Sequence, residues 1–344
     1  MSAAPTLDES PRLSFGFAIR NGTGVAIPLV VGVLADDVPA GAVAGGGALI
    51  VGFADVGDTM RHRAAAMLAT AVLGAISTAV GDLVSESEVA ALLATGLWGI
   101  GTGLLVAGGP ITGVVGLSAT VGLIVFAGST TGPHAPLELG GYALAGGVFQ
   151  SAIAALVPTR SGYPAHPHPL SFLRESIAAA VSWSDAIGRH AVRLGAALSA
   201  ATAVYRVLPV DRGFWIPITV LFVMRPEAGK TRTRILQRFL GTVLGLLVLT
   251  LLVSLFEPGD LALALICAAC TVPAYAYLWI DYTRFNAGLA GAVVALAAML
   301  GLPEPIAALD RLVDTVVGLA LIALFLLLLP ETPRARREPA VAKG

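Results

Sequence analysis

The chain has 344 residues, 56% hydrophobic and 12% charged, with 21 Lys+Arg against 22 Asp+Glu for a formal net charge of -1. Soluble domains run about 45–50% apolar and about 25% charged, so this composition excludes an ordinary soluble protein, and the near-zero net charge removes an electrostatic case for nucleic acid. A bilayer-crossing helix takes about 20 apolar residues; twelve would occupy roughly 240 positions and exclude a sizeable soluble catalytic domain too.

In chain order, the N-terminus MSAAPTLDESPRLSFGF is polar, with Asp8 and Glu9 where a secretory signal carries basic residues, which predicts a cytoplasmic tail over 1–14. Apolar runs then predict spanning helices at 15–34, 38–54, 64–81, 89–107, 111–127 and 142–157. A polar linker follows over 159–190. Its prolines favour an extended start, and Phe172, Ile177, Val181 and Ile187 share one face of an interfacial helix. His166 and His168 lack a third ligand nearby and read as solvated linker, so no metal site is expected. The second series of runs is 191–207, 213–224, 239–255, 261–279, 285–300 and 312–329, and a cytoplasmic tail closes the chain over 331–344. Cys267 and Cys270 lie one turn apart in an apolar run, without a second pair for a disulfide framework or zinc site, and read as packing residues.

With the N-terminus inside, 18 of the 21 Lys and Arg fall on or near the cytoplasmic side, and only Arg206, Arg212 and Arg311 fall outside. The positive-inside rule expects this asymmetry, and one miscounted helix would scramble it. The expected architecture is therefore an all-α polytopic membrane protein of about twelve transmembrane helices with both termini cytoplasmic.

The halves also resemble each other. Arg20 and Gly22 match Arg193 and Gly195 at an offset of 173; Arg61, Arg63 and Gly74 match Arg232, Arg234 and Gly245 at 171; Glu138, Gly146 and Pro158 match Asp310, Gly318 and Pro330 at 172. A duplicated six-helix unit over 15–158 and 191–330 is expected. An even number of crossings per unit makes the repeat parallel.

Two runs at equivalent places are abnormal. The second holds Gly45-Gly46-Gly47, and its counterpart 213–224 is short, with Trp215 and Pro217 near its start. Interrupted helices at matching positions point to a midplane transport site near Gly46, Trp215 and Pro217, because an opened helix presents backbone groups to solute. The alternative is that glycines only let helices pack closely. The matched Arg20 and Arg193 either contact an anion or snorkel to the interface. Asp314, just inside the last span and one turn from Arg311, either carries a coupling proton or pairs with that arginine. Arg225, Lys230, Arg232, Arg234 and Arg238 crowd one cytoplasmic loop, where they either concentrate organic anions or anchor the chain at acidic lipid.

Trp215-x-x-x-Thr219, Arg225-Pro226, Thr231, Arg234, Arg238 and Gly241-Thr242-x-x-Gly245 resemble the signature of the fusaric-acid-resistance-like family, also called the integral membrane bound transporter domain. That family is similar to aromatic acid exporters and, more distantly, to plant aluminium-activated malate transporters. The likeness is clearest over about 190 to 330; the first half looks like a degenerate copy without equivalents of Trp215 and Pro226. The resemblance implies a multi-pass transporter of the plasma (inner) membrane, moving small organic acids outward, without a cofactor. A homo-oligomer rests on family analogy alone.

Other classes fit less well. A major-facilitator transporter shares the twelve-helix plan, and Gly52-x-x-Asp55 with Arg61 and Arg63 resembles its loop, but Val56 stands where a basic residue is usual. An intramembrane prenyl transferase needs carboxylates gathered around Mg²⁺, whereas Asp55 and Asp58 are expected on the opposite face from Asp310 and Asp314. No nucleophile–base pair or phosphate loop stands out, so no enzyme is expected.

Overall fold

The computed structural model describes residues 13–129, 134–159, 170–181, 186–207, 213–300 and 304–328. The N-terminal tail, the linker prolines with His166 and His168, Arg212 and the C-terminal tail lie outside the described residues. Those described form thirteen α-helices: α1 Phe15–Leu34, α2 Val38–Phe53, α3 Met60–Leu83, α4 Glu88–Leu105, α5 Pro110–Gly128, α6 Pro136–Leu156, α7 Leu170–Ala180, α8 Ala186–Val207, α9 Trp215–Val223, α10 Ala228–Phe256, α11 Asp260–Tyr277, α12 Tyr282–Met299 and α13 Glu304–Leu328. A 3-10 turn, Val106–Gly108, extends α4. By length and composition, eight stretches can cross a membrane: Phe15–Leu34, Met60–Leu83, Glu88–Gly108, Pro110–Gly128, Pro136–Leu156, Gly229–Phe256, Asp260–Tyr277 and Ala308–Leu328.

Local chemistry sets several helix starts. Ser14, Asp37, Thr59 and Ser87 each accept a hydrogen bond from a backbone N–H in the first turn of the helix that follows, and Asp281 accepts two at the start of α12. Such caps satisfy donors that a helix start leaves orphaned. At the other end of α9, Met224 turns extended, and Pro226 disfavours helical backbone at Arg225. That helix is nine residues, about 14 Å at 1.5 Å per residue, well short of a bilayer.

Packing places α2 against α1 and α6, and α3 against α5 and α6. In the second half α9 packs on α8 and α13, and α10 on α12 and α13. The halves join through two long contacts, α4 along α8 and α1 along α11. Small residues permit both. A Cβ on Gly22 would lie 3.0 Å from Val272 and 3.4 Å from the Ala268 oxygen; one on Gly195 would lie 2.6 Å from Ile100 and 2.7 Å from the Gly96 oxygen.

The amphipathic linker helix differs from expectation. Within α7, Ile177 is half-buried and Ala180 fully buried; Val181 follows the helix and is exposed, while Ile187 belongs to α8. The apolar face is therefore not shared by one helix. The element packs instead on the end of α4 and its 3-10 turn.

Candidate functional site

Arg20 of α1 is 5% exposed and bonded to the carboxylate of Asp55, in the turn after α2. Arg63 grips the same carboxylate through Nε at 2.6 Å and Nη2 at 2.9 Å, and donates from Nη1 to the Thr159 oxygen at 2.7 Å. Arg20 also donates to the Val157 oxygen at 3.4 Å. Two guanidiniums thus share one carboxylate, and the excess positive charge faces carbonyl oxygens at the end of α6, where a helix carries partial negative charge. Beside them Gln150 Nε2 donates to Asn21 Oδ1 at 2.5 Å. Asp58 instead contacts His62 at 2.5 Å, so the two aspartates do not form the carboxylate pair a metal would need.

Arg193, matched to Arg20 in the sequence at an offset of 173, donates to the carbonyl oxygens of Arg225 at 3.0 Å and Pro226 at 3.4 Å. It caps the loop after α9.

The basic loop splits by depth. Lys230 and Arg232 are exposed on the first turns of α10. Arg225 and Arg234 are half-buried; both donate to the Phe222 oxygen at 3.3 Å, and Arg234 lies 4.4 Å over the Tyr282 ring. Burial, with Arg234 nearby, lowers the Arg225 pKa to about 10.

Arg238 has no exposed surface at all. Its Nη1 donates to Asn286 Oδ1, while Asn286 Nδ2 donates to the Arg238 oxygen and to Thr242, both at 2.9 Å. Arg238 Nε and Nη2 have no hydrogen-bond partner among the described residues. Arg311 of α13 is 1% exposed, its guanidinium 3.7 Å over the Trp215 ring, and none of its three nitrogens is hydrogen-bonded among the described residues. Asp314, one turn along α13, is 0% exposed, and neither carboxylate oxygen has a hydrogen-bond partner among the described residues. Arg238 and Arg311 feel each other electrostatically, as do Arg311 and Asp314. An unpaired guanidinium in an apolar interior costs several kcal/mol, about the largest local penalty a fold can carry.

Arg311, expected from the sequence at a membrane face, is buried among the chain's own helices. The helix α13 begins at Glu304, so Arg311 sits about 10 Å along it; α10 begins at Ala228, so Arg238 sits about 15 Å along. Charge ends an apolar run but not a helix, since Lys and Arg are good helix formers.

Gly46, Pro217 and Trp215 are the remaining candidates. The helix α2 is unbroken through Gly45-Gly46-Gly47. A Cβ on Gly45 would meet Leu29 at 2.7 Å and one on Gly47 the Ala143 oxygen at 2.3 Å, while Gly46 has nothing within 4 Å. Pro217 occupies the first turn of α9, where a missing N–H is harmless, so it does not interrupt that helix. Trp215 does reach the buried charges, as the platform under Arg311. Trp215, Arg238, Arg311 and Asp314 gather where α9, α10 and α13 pack together. The sequence reading named Arg311 only as a pairing partner for Asp314, because its apolar run starts at 312.

Residues 199–325 match the family described as fusaric acid resistance protein-like, a segment that holds every residue of this buried cluster. The Neisseria gonorrhoeae protein called Uncharacterized protein ORF2 is 30% identical over 147 residues, 43% of this chain and 35% of its own length. Inner membrane protein YccS of Escherichia coli is 30% identical over 158 residues, 45% of this chain and 21% of its own length. Uncharacterized protein YhfK of Escherichia coli is 32% identical over 130 residues, 38% of this chain and 18% of its own length. The chain therefore spans between about a fifth and a third of the length of these relatives. No solved structure matches.

Proposed function

From the fusaric acid resistance protein-like domain it carries over 199–325, we propose that this multi-span membrane protein is a plasma-membrane transporter of small organic anions, aromatic acids among them, and that Arg238 and Arg311 bind the anion. One observation carries the reading: five of the six guanidinium nitrogens of two fully buried arginines lack a hydrogen-bond partner among the described residues. Guanidinium stays charged at any accessible pH and fits carboxylate in a bidentate fork. An anion is the ligand that relieves the burial cost.

The proposed topology has twelve crossings in two six-helix units, 15–158 and 191–330, joined by the linker 159–190, with both termini cytoplasmic. Contacts that repeat at one offset support it. A Cβ on Gly146 would meet the Ala44 oxygen, and one on Gly318 the Ile216 oxygen, each partner 172 residues from its counterpart. In that topology α10 enters from the cytoplasm and α13 from the opposite side, so Arg238 and Arg311 meet in the interior from opposite faces. Both are sealed from solvent, so substrate access requires the cluster to open toward one side at a time. The outward direction follows the resemblance to aromatic acid exporters.

Counterflow of labelled aromatic acids in proteoliposomes tests the reading. Charge-assisted hydrogen bonds contribute about 1.5–3 kcal/mol, so Arg238→Gln and Arg311→Gln are each expected to cut saturable flux roughly ten- to a hundredfold, with insertion unchanged. Saturable flux at the wild-type level in both variants overturns it.

A further inference from the structure

Asn286 of α12 is fully buried, and both polar atoms of its amide are spent on α10. Its Nδ2 donates to the backbone oxygen of Arg238 and to Thr242 Oγ1, and its Oδ1 accepts from Arg238 Nη1. The backbone oxygen fixes which way the amide faces, because a carbonyl can only accept. Asn286 therefore holds Arg238 at two points, backbone and guanidinium, while Thr242, one turn along α10, holds the amide. Close approach of the two helices permits this: a Cβ on Gly241 would lie 2.9 Å from the Asn286 Cβ and 3.0 Å from its Nδ2.

A guanidinium offers a carboxylate two forks, the side edge of Nε with Nη2 and the end edge of Nη1 with Nη2. Asn286 takes Nη1 and so closes the end edge. The side edge stays open: Nε and Nη2 are the Arg238 atoms without a hydrogen-bond partner among the described residues. Its neighbours leave it so. The Phe222 ring, 5.6 Å from the guanidinium carbon, brings no acceptor oxygen of its own, and Tyr282, whose hydroxyl donates to the Phe222 oxygen at 3.4 Å, bonds neither atom. Arg234, one turn before Arg238, donates to that same oxygen at 3.3 Å and lies over the Tyr282 ring. Which edge stands open is set by these hydrogen bonds, whatever the protonation of Asp310 and Asp314.

We infer that Asn286 is a positioning residue for the transported anion: by tying down Nη1 it presents the Nε–Nη2 edge of Arg238 as the fork that takes a carboxylate. The inference rests on the transport reading above and deepens it. An arginine free to rotate loses that freedom when an anion binds, whereas one clamped by Asn286 has lost it on folding, so the same contact holds the anion more tightly. A fork also demands alignment that a point charge does not, and a clamp supplies alignment. An asparagine that only bridged α10 to α12 would affect how much protein folds and inserts, not how tightly the inserted protein holds its anion.

Counterflow of labelled benzoate in proteoliposomes of the full chain, followed against concentration, tests this. Asn286→Ala, with Asn286→Ser as a second variant against misfolding, is expected to raise KM at least about fivefold while changing the maximal flux per inserted molecule less than about twofold. Thr242→Val, which keeps the volume and removes the group that holds the amide, is expected to raise KM in the same direction by a smaller factor. Arg238→Lys keeps the charge but loses the fork, and is expected to raise KM as much as Asn286→Ala. On that background Asn286→Ala is expected to add less than about twofold, because the clamp then has no fork to orient. A KM that stays at the wild-type value in whichever of the Asn286 and Thr242 variants insert, or a full further rise on the Arg238→Lys background, overturns the role of Asn286 while leaving the anion site standing. Wild-type KM and maximal flux in Arg238→Gln, or no saturable benzoate flux by the wild type, overturns the anion site and this inference with it.

Discussion

At Asp55 a single carboxylate, 0% exposed, faces two guanidiniums that are 5% and 6% exposed. Breaking a buried ion pair by removing one partner costs about 3–5 kcal/mol, because the orphaned charge stays buried. Asp55→Asn strands two, so the expected outcome is a loss of stability at or above that range, read as a fall in the thermal midpoint in detergent; a midpoint within a degree or so of wild type contradicts it. Replacing Arg20, Asp55 and Arg63 together by Met is expected to recover much of the loss, since removing a buried ion network whole is far less costly than halving it. Arg20, expected either to contact an anion or to snorkel to the interface, pairs with the chain's own Asp55. A separation of 35 residues hid that pairing: Asp55 follows α2, and only the packing of α2 on α1 brings it to Arg20. The reverse holds at Arg311 and Asp314, only three residues apart and visible in sequence, where the unexpected fact is that they do not bond.

Between residue and element, hydropathy and helix length give different boundaries. For α1 the apolar run and the helix coincide at 15 and 34; for α10 and α13 the helix begins eleven and eight residues before the run. The difference is physical: hydropathy measures transfer from water, while helix starts answer to caps, proline and propensity, and α13 starts at Glu304-Pro305 with charge still to come. Because the runs excluded Arg238 and Arg311, the most informative pair in the chain was assigned to the surface. The glycine triplet of α2 shows the opposite error, an interruption read where the helix is intact. Gly46→Ala meets nothing within 4 Å and is expected to stabilise by about 0.5–1 kcal/mol, the helix-propensity gain of alanine. Gly47→Ala places a Cβ 2.3 Å from the Ala143 oxygen and is expected to destabilise by about 1–3 kcal/mol. Thermal midpoints of the two variants decide the matter: an opened helix with accessible backbone would tolerate both alike.

Across the whole molecule, the proposed duplication places the arginine pair of the proposed anion site in one unit and not in the other. At the repeat offset of 171 to 172, Arg238 and Arg311 correspond to Met67 and Leu139, which are 1% and 0% exposed and fill the equivalent interior with apolar volume. Comparing the halves position by position would have singled out the arginines from sequence; comparing only what they share, such as Arg20 with Arg193, led to residues that hold helix ends together. A parallel repeat further requires equivalent residues to lie on the same face of the membrane. Arg61 and Arg232 are exposed and equivalent at 171, as are Glu86 and Glu257, just beyond the ends of α3 and α10. Single cysteines at these four positions, with Cys267 and Cys270 replaced by Ala, are expected to label with an impermeant maleimide from one side for the two arginine positions and from the other for the two glutamates. In the proposed topology the cytoplasmic side belongs to the arginines, since the sequence count sets 18 of 21 cations on or near that side and short basic loops resist translocation. An inverted repeat would place Arg61 and Glu257 together. That labelling pattern would dissolve the two-unit topology, and with it the expectation that Arg238 and Arg311 approach the interior from opposite faces.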